Sequence, residues 1–203
     1  INYMEAVMKV KFFRNLEIVG AFFVFSLAFL LHYIYQLTDG TVFSILFGAV
    51  NESVWENTKI FLIAYAIWGL VELLVSNAYF KPFVVGKVLG IYFMGFFIII
   101  MHYLFSLFVG DKMVGVDIAM GVFAVIFSQI ISYKVTLSDK NFSTYFVPSL
   151  FLLGLFLIAY FSFTVFPPHM GLFKDETTGF YGILPNYVDK GAAVLNLSLI
   201  HIS

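Results

Sequence analysis

Histidines and carboxylates in this chain have the residue types and positions to do chemistry together. His32, His102 and His169 with Asp117 form the kind of donor set that zinc, manganese or non-haem iron accepts. Glu52 and Glu56 are the carboxylates placed to act as general base on a metal-bound water. Asn51, Lys59, Asp175 and Tyr181 complete a polar network around them. Without a metal, the same imidazoles and carboxylates can relay protons or do general acid–base work. Other chemistries are missing. The chain has no cysteine, so it has no thiol nucleophile, thiolate metal site or disulfide. It lacks the GxxxxGK[ST] and GxGxxG loops that cradle nucleotides, and the HExxH and GxSxG signatures of hydrolases.

These groups must be positioned by elements that suit an unusual composition. Of 203 residues 62% are hydrophobic and 11% charged, with 27 Phe and 12 Tyr. A soluble domain averages about 45–50% apolar and about 25% charged residues, so this chain has too few charges to cover a water-facing surface. Disorder is excluded, because it needs low hydrophobicity. The net charge of −1 offers no basic field for nucleic acid, and without phosphate-cradling loops nucleotide is not an expected partner either. The expected surroundings are a lipid bilayer.

Five apolar runs, about 16–36, 57–78, 85–109, 114–134 and 145–166, each approach the roughly 20 residues that cross a bilayer core. Backbone polar groups in lipid must be satisfied internally, so continuous runs are helices, and a barrel would need alternation. The expected fold is all-α, a polytopic transmembrane bundle. Residues 41–50 are too short to span and are expected as an interfacial or re-entrant segment. Asp39-Gly40, the stretch from Asn77 to Pro82, Gly110-Asp111-Lys112, the polar run 134–143 and Pro167-Pro168 separate the helices, with Pro148 in a first turn. Gly86 and Gly90 have the spacing that permits close helix contact. Seven Lys and Arg on one set of connections against four on the other put the N-terminus inside the cytoplasmic membrane. The organisation expected is a cytoplasmic segment 1–15, one helical domain 16–185 and a tail 186–203.

In this topology His32, Asn51, Glu52, Glu56, His102, Asp117, His169, Asp175 and Glu176 all fall at one face, the outer one. Glu17, Glu72 and Gln129 fall toward the other. A charge in mid-bilayer costs roughly 2.5–3.5 kcal/mol on insertion scales, so such groups face protein or a wet cavity. Each also has a plain structural role. Ser53-x-x-Glu56 is a capping box. His32 beside Tyr33 and Tyr35 suits an aromatic belt, and Trp55 suits an interfacial anchor. His102 can bond another helix, Asp117 can cap or pair with Lys112, and His169 suits a loop. Glu176 belongs to a solvated polar turn. Glu17 and Glu72 can snorkel or pair with Lys81 or Lys87.

Two stretches resemble one family. Ala49-Val-Asn-Glu-Ser-Val-Trp-Glu-Asn-Thr-Lys59 is similar to a P-V-N-E-S-V-W-E-H-x-K signature. Phe166-Pro-Pro-His-Met-Gly-Leu-Phe-Lys-Asp175 with Gly179-Phe-Tyr-Gly-Ile183 is similar to its F-P-P-H…D…G-x-Y-G-I ending. The family consists of small multi-pass bacterial membrane proteins with no assigned function. The resemblance implies that Asn51, Glu52, Glu56, Lys59, His169, Asp175 and Tyr181 occupy motif positions. Asn57 stands where the family usually has His. A weaker analogy, of arrangement alone, links the chain to membrane-embedded zinc hydrolases. The last residues, 197–203, resemble a translated library adapter, so His201 is given no role.

Three functions are consistent with this sequence. The first is a membrane-embedded, metal-assisted hydrolase or transferase using a divalent metal such as zinc, with a small or lipid-like substrate from the membrane. The second is a non-catalytic assembly or scaffold protein, and the third a small proton-coupled transporter. Homo-oligomers fit all three.

Overall fold

The computed structural model describes residues 3–76, 78–110 and 114–184. Asn77, Lys112, Lys190, His201 and the 186–203 tail lie outside the described residues. Six helices follow in order: α1 (Tyr3–Leu37), α2 (Val42–Phe47), α3 (Val54–Val75), α4 (Phe80–Val109), α5 (Val114–Thr136) and α6 (Phe146–Val165). All but α2 are long and apolar enough to cross a membrane. The expected all-α bundle of about five spans, with a short segment between the first two, is what forms.

The helix boundaries have local causes. α1 ends in a left-handed C-cap: Asp39 and Gly40 have φ of 50° and 71°, and Gly40 N–H bonds Tyr35 C=O at 3.1 Å. α1 is 35 residues long, about 52 Å, so it exceeds the membrane core. The helix begins well before the apolar run from residue 16, because Lys9, Lys11 and Arg14 are good helix formers. α3 starts at Val54 rather than 57, because Ser53 caps it by accepting the Glu56 N–H at 3.2 Å. α4 starts at Phe80 rather than 85, because Pro82 falls in its first turn, where the missing N–H costs nothing. A 3₁₀ turn over Phe142–Tyr145 leads into α6, whose first turn holds Pro148.

α3 is the central helix, in contact with α1, α4 and α5, and α4 with α5 is the most extensive pair. α6 shows most of its surface to the outside. Large apolar side chains cover the exterior: Leu74 is 85% exposed, Phe108 80% and Phe22 73%. Water would make such a continuous apolar exterior an aggregation surface, whereas lipid is a matching solvent.

Both glycines of the Gly86-x-x-x-Gly90 spacing mark close approach. A Cβ on Gly86 would press on the backbone oxygen of Ser132 in α5. One on Gly90 would collide with the Tyr65 ring of α3. That ring cannot swing aside freely, because its hydroxyl donates to Ser128 C=O at 3.1 Å while the Ser128 hydroxyl donates to Gly90 C=O at 3.0 Å. Gly154 on α6 has nothing within 4 Å of the same position. Gly90→Ala should therefore destabilise the detergent-solubilised protein by about 1–3 kcal/mol, the usual cost of overpacking. Gly154→Ala should leave it unchanged or stabilise it through helix propensity. Thermal unfolding followed by intrinsic fluorescence measures both.

Candidate functional site

Two buried polar groups lie at opposite ends of the bundle, both built on α3. Lys59 and Glu72 mark their positions, separated by about 20 Å of helix at 1.5 Å per residue.

The first group lies where α1 and α6 end and α3 begins. Lys59 is fully buried and its ammonium meets Glu56 Oε2 at 2.6 Å. It also donates to Thr164 Oγ1 on α6 at 2.9 Å, and the Thr164 hydroxyl faces Glu56 Oε1 at 3.2 Å. Val50 N–H donates to Glu56 Oε2 at 3.1 Å. The capping box is thus half made. Ser53 caps the helix, but the Glu56 carboxylate turns to Lys59 and Val50, and Ser53 N–H donates to Asn51 Oδ1 at 2.8 Å instead.

The segment after α6 folds over this end. Asn51 Nδ2 donates to Gly182 C=O at 2.8 Å, Glu52 N–H to Asp175 Oδ2 at 2.7 Å, and Tyr35 hydroxyl to Leu184 C=O at 2.8 Å. Asp175 Oδ1 meanwhile accepts the N–H groups of Thr177 and Thr178. Phe173 packs between Trp55 and Phe163, with ring centroids 5.6 and 5.1 Å away. Trp55 is therefore a buried docking residue rather than an interfacial anchor, because Phe173 in the segment after α6 gives its ring an apolar partner on the protein.

The histidines divide. His32 Nε2 lies 3.9 Å from Glu52 Oε2 and packs edge-on against Tyr33. His102 Nδ1 lies 3.0 Å from Asp117 Oδ1, joining α4 to α5, and its Nε2 lies 3.3 Å from Glu176 Oε1. Glu176 is thus in contact with an imidazole rather than merely solvated. His169 stacks on Tyr181 at 4.6 Å beside an open cleft of about 520 Å³. Asp117 and Glu176 sit at opposite nitrogens of one ring, so they have no common centre with it. Among the described residues no three of His, Asp and Glu are placed to hold a metal ion.

The second group gathers four helices. Lys87 of α4 meets Glu17 Oε2 of α1 at 3.0 Å, Gln129 Oε1 of α5 at 3.0 Å, and the Glu72 carboxylate of α3. Its ammonium also lies 5.0 Å from the Tyr65 ring centroid. Two buried carboxylates thus share one ammonium. Gln129 Nε2 and Thr136 Oγ1, both enclosed, find no hydrogen-bond partner among the described residues, whereas Ser132 faces the Glu17 carboxyl group and Glu17 faces Glu72. Sequence reasoning noted Glu17, Glu72 and Gln129 but did not gather them into a site. The available signal was the hairpin: Glu72 lies in the last turn of α3 and Lys87 about two turns into α4.

Long apolar helices enclosing buried ionic groups define a multi-pass helical membrane protein. The chain belongs to a family of unknown function, DUF6512, whose model matches residues 5–183. No curated protein and no solved structure matches it.

The Glu56–Lys59 pair can be tested directly. Removing one partner of a buried pair strands the other charge, at about 3–5 kcal/mol. Glu56→Gln and Lys59→Met should each lower stability on that scale. The double variant should recover most of the loss, giving a large coupling in a double-mutant cycle measured by denaturation in mixed micelles.

Proposed function

We propose that this protein is a small proton-coupled membrane transporter whose ion site is the Glu17–Glu72–Lys87–Gln129 group. One observation carries the reading: two carboxylates buried in the bundle are balanced by a single ammonium. A net buried charge is costly in a low-dielectric interior, so this group is stabilised by taking up one further positive charge. A proton is the simplest such charge. The Glu17 and Glu72 carboxylates, which share that ammonium, are the groups that would receive it. Between this group and Lys59, the interior is packed by Ile60, Ile63, Ala64 and Tyr65, which suits a carrier in a closed state. In the N-terminus-inside orientation expected from the Lys and Arg distribution, the site would lie in the cytoplasmic half of the membrane.

A second reading, a metal-assisted hydrolase or transferase at the other face, is favoured by His102. Its imidazole is oriented by Asp117 and turned toward Glu176, an arrangement suited to general-base work. Glu56 is less suited as the base, because Lys59, Val50 and Thr164 already occupy its carboxylate. Elemental mass spectrometry on protein prepared without chelator or His tag decides this reading. Stoichiometric zinc that disappears in His102→Ala/His169→Ala supports it, and metal far below stoichiometric after reloading removes it.

For the transporter, proteoliposomes adsorbed on a solid-supported membrane are given acid, sodium or potassium jumps. An acid jump should evoke a charge-displacement transient that Glu17→Gln and Glu72→Gln each abolish or sharply reduce, since each removes an ionisable group the site requires. No transient with any of the three ions would overturn the reading. A transient unchanged in both variants would place the site elsewhere.

A further inference from the structure

The cations of this chain part into two kinds once it is folded. Lys59 and Lys87 are buried and paired with carboxylates inside the bundle. Lys9, Lys11, Arg14, Lys81, Lys134 and Lys140 are exposed, and all six lie at the end where α1, α4 and α6 begin and α5 finishes. Asp139 is the exposed carboxylate among the side chains described there, and counting Glu5, near the start of α1, the balance is still six to two. At the opposite end Asp39, Glu52, Asp117 and Glu176 outnumber Lys174 among the described residues. The accessible charge is thus polarised along the bundle axis, positive where α1 begins and negative where it ends.

Aromatic packing sets the depth of four of these cations. Lys81 Nζ lies 5.9 Å from the Phe146 ring centroid, and Phe80 packs on the same ring at 5.6 Å. Lys140 C=O accepts the Phe142 N–H at 2.8 Å, in the turn that leads to that ring. On the other flank Phe13 packs against Phe83 and Tyr133 at 6.2 and 6.1 Å, and Arg14 and Lys134 are the next residues along their helices. Tyr79, Phe80 and Tyr145 are exposed at this end. Exposed aromatic rings at the ends of spanning helices mark the level of lipid headgroups, and long cationic side chains there reach outward to phosphate. Lys11 and Lys9 lie about 4.5 and 7.5 Å further out along α1 than Arg14, still within the roughly 8–10 Å over which charge acts in physiological salt.

We propose that this end of the bundle gathers anionic phospholipid, of the phosphatidylglycerol type, into the leaflet around it, and that the opposite end does not. The cations stand on both the α1–α5 and the α4–α6 flanks, at headgroup level. A leaflet meets both flanks at once, whereas a soluble acidic partner approaches one patch from the water. Each such cation near an anionic surface is worth about a fivefold preference. Zwitterionic headgroups gain little, because their own ammonium offsets the phosphate. The contact involves neither ion movement nor Glu17 and Glu72, so it stands or falls apart from the carrier reading.

The test places the full chain in phosphatidylcholine membranes holding a trace of phosphatidylglycerol or phosphatidylcholine spin-labelled near the end of one acyl chain. The motionally restricted fraction in the electron paramagnetic resonance spectrum reports which lipid sits against the protein. Phosphatidylglycerol should associate about threefold more strongly than phosphatidylcholine, the mean of a fivefold preference in one leaflet and none in the other. In 1 M NaCl, where charge acts over only about 3 Å, the two should become equal. Arg14→Gln/Lys81→Gln/Lys134→Gln/Lys140→Gln, all at exposed positions, should bring the ratio close to one at low salt, with thermal unfolding unchanged. Lys174→Gln, at the other end, should leave it at threefold. Equal association in the unaltered protein would overturn the proposal and leave these cations to a soluble acidic partner. A preference that survives the fourfold variant or 1 M NaCl, or that Lys174→Gln removes, would overturn it as well.

Discussion

Inside a bilayer a charge cannot turn to water, so every buried ionic group must find its compensation among the helices around it. Lys87 shows how far this reaches. Its ammonium draws Glu17 from α1, Glu72 from α3 and Gln129 from α5 onto one atom of α4. Four of the five long helices are thereby fixed in rotation about their axes. The close approach of α4 to α3 and α5 at Gly90 and Gly86 follows, since a bulkier residue there would push the ammonium from its partners. Apolar packing in lipid is weakly directional, so the polar contacts set which faces meet.

The opposite end obeys the same constraint with different means. There the Asn51–Glu56 stretch and the segment after α6 satisfy each other through Asn51 to Gly182, Glu52 to Asp175 and Phe173 into the Trp55 pocket. Residues that look like a catalytic constellation are largely occupied in closing the bundle. Asp175 is the clearest case: both of its oxygens accept backbone N–H groups, one set from its own turn and one from the start of α3. A carboxylate with that many donors is a structural hub, whatever else the surrounding cleft does.

The helices were legible because hydropathy and capping are local. Ser53 announces the start of α3, Asp39-Gly40 the end of α1, and Pro167-Pro168 the end of α6. Most misreadings arose from contacts across long sequence separations. Trp55 reads as an interfacial anchor until Phe173 is seen against it, and Glu176 reads as solvated until His102 is seen 3.3 Å away. The three histidines do share one end of the bundle with the carboxylates, as their positions in the helices imply. Whether side chains on one end converge depends on helix rotation, which apolar runs with weak periodicity do not encode.

The two lysines also differ in when their partners become available during synthesis. Glu56 and Lys59 lie three residues apart on α3, so that end of the helix carries its own counterion as it leaves the translocation machinery. Thr164, 105 residues beyond Lys59, completes the contact long afterwards. Glu72 has no counterion on its own helix, and Lys87 arrives only with the next one. The α3–α4 hairpin is therefore the smallest unit that can enter lipid with Glu72 neutralised. Glu17 must then wait in α1 for that hairpin, which makes the arrival of α4 the moment at which the first three spanning helices become one body.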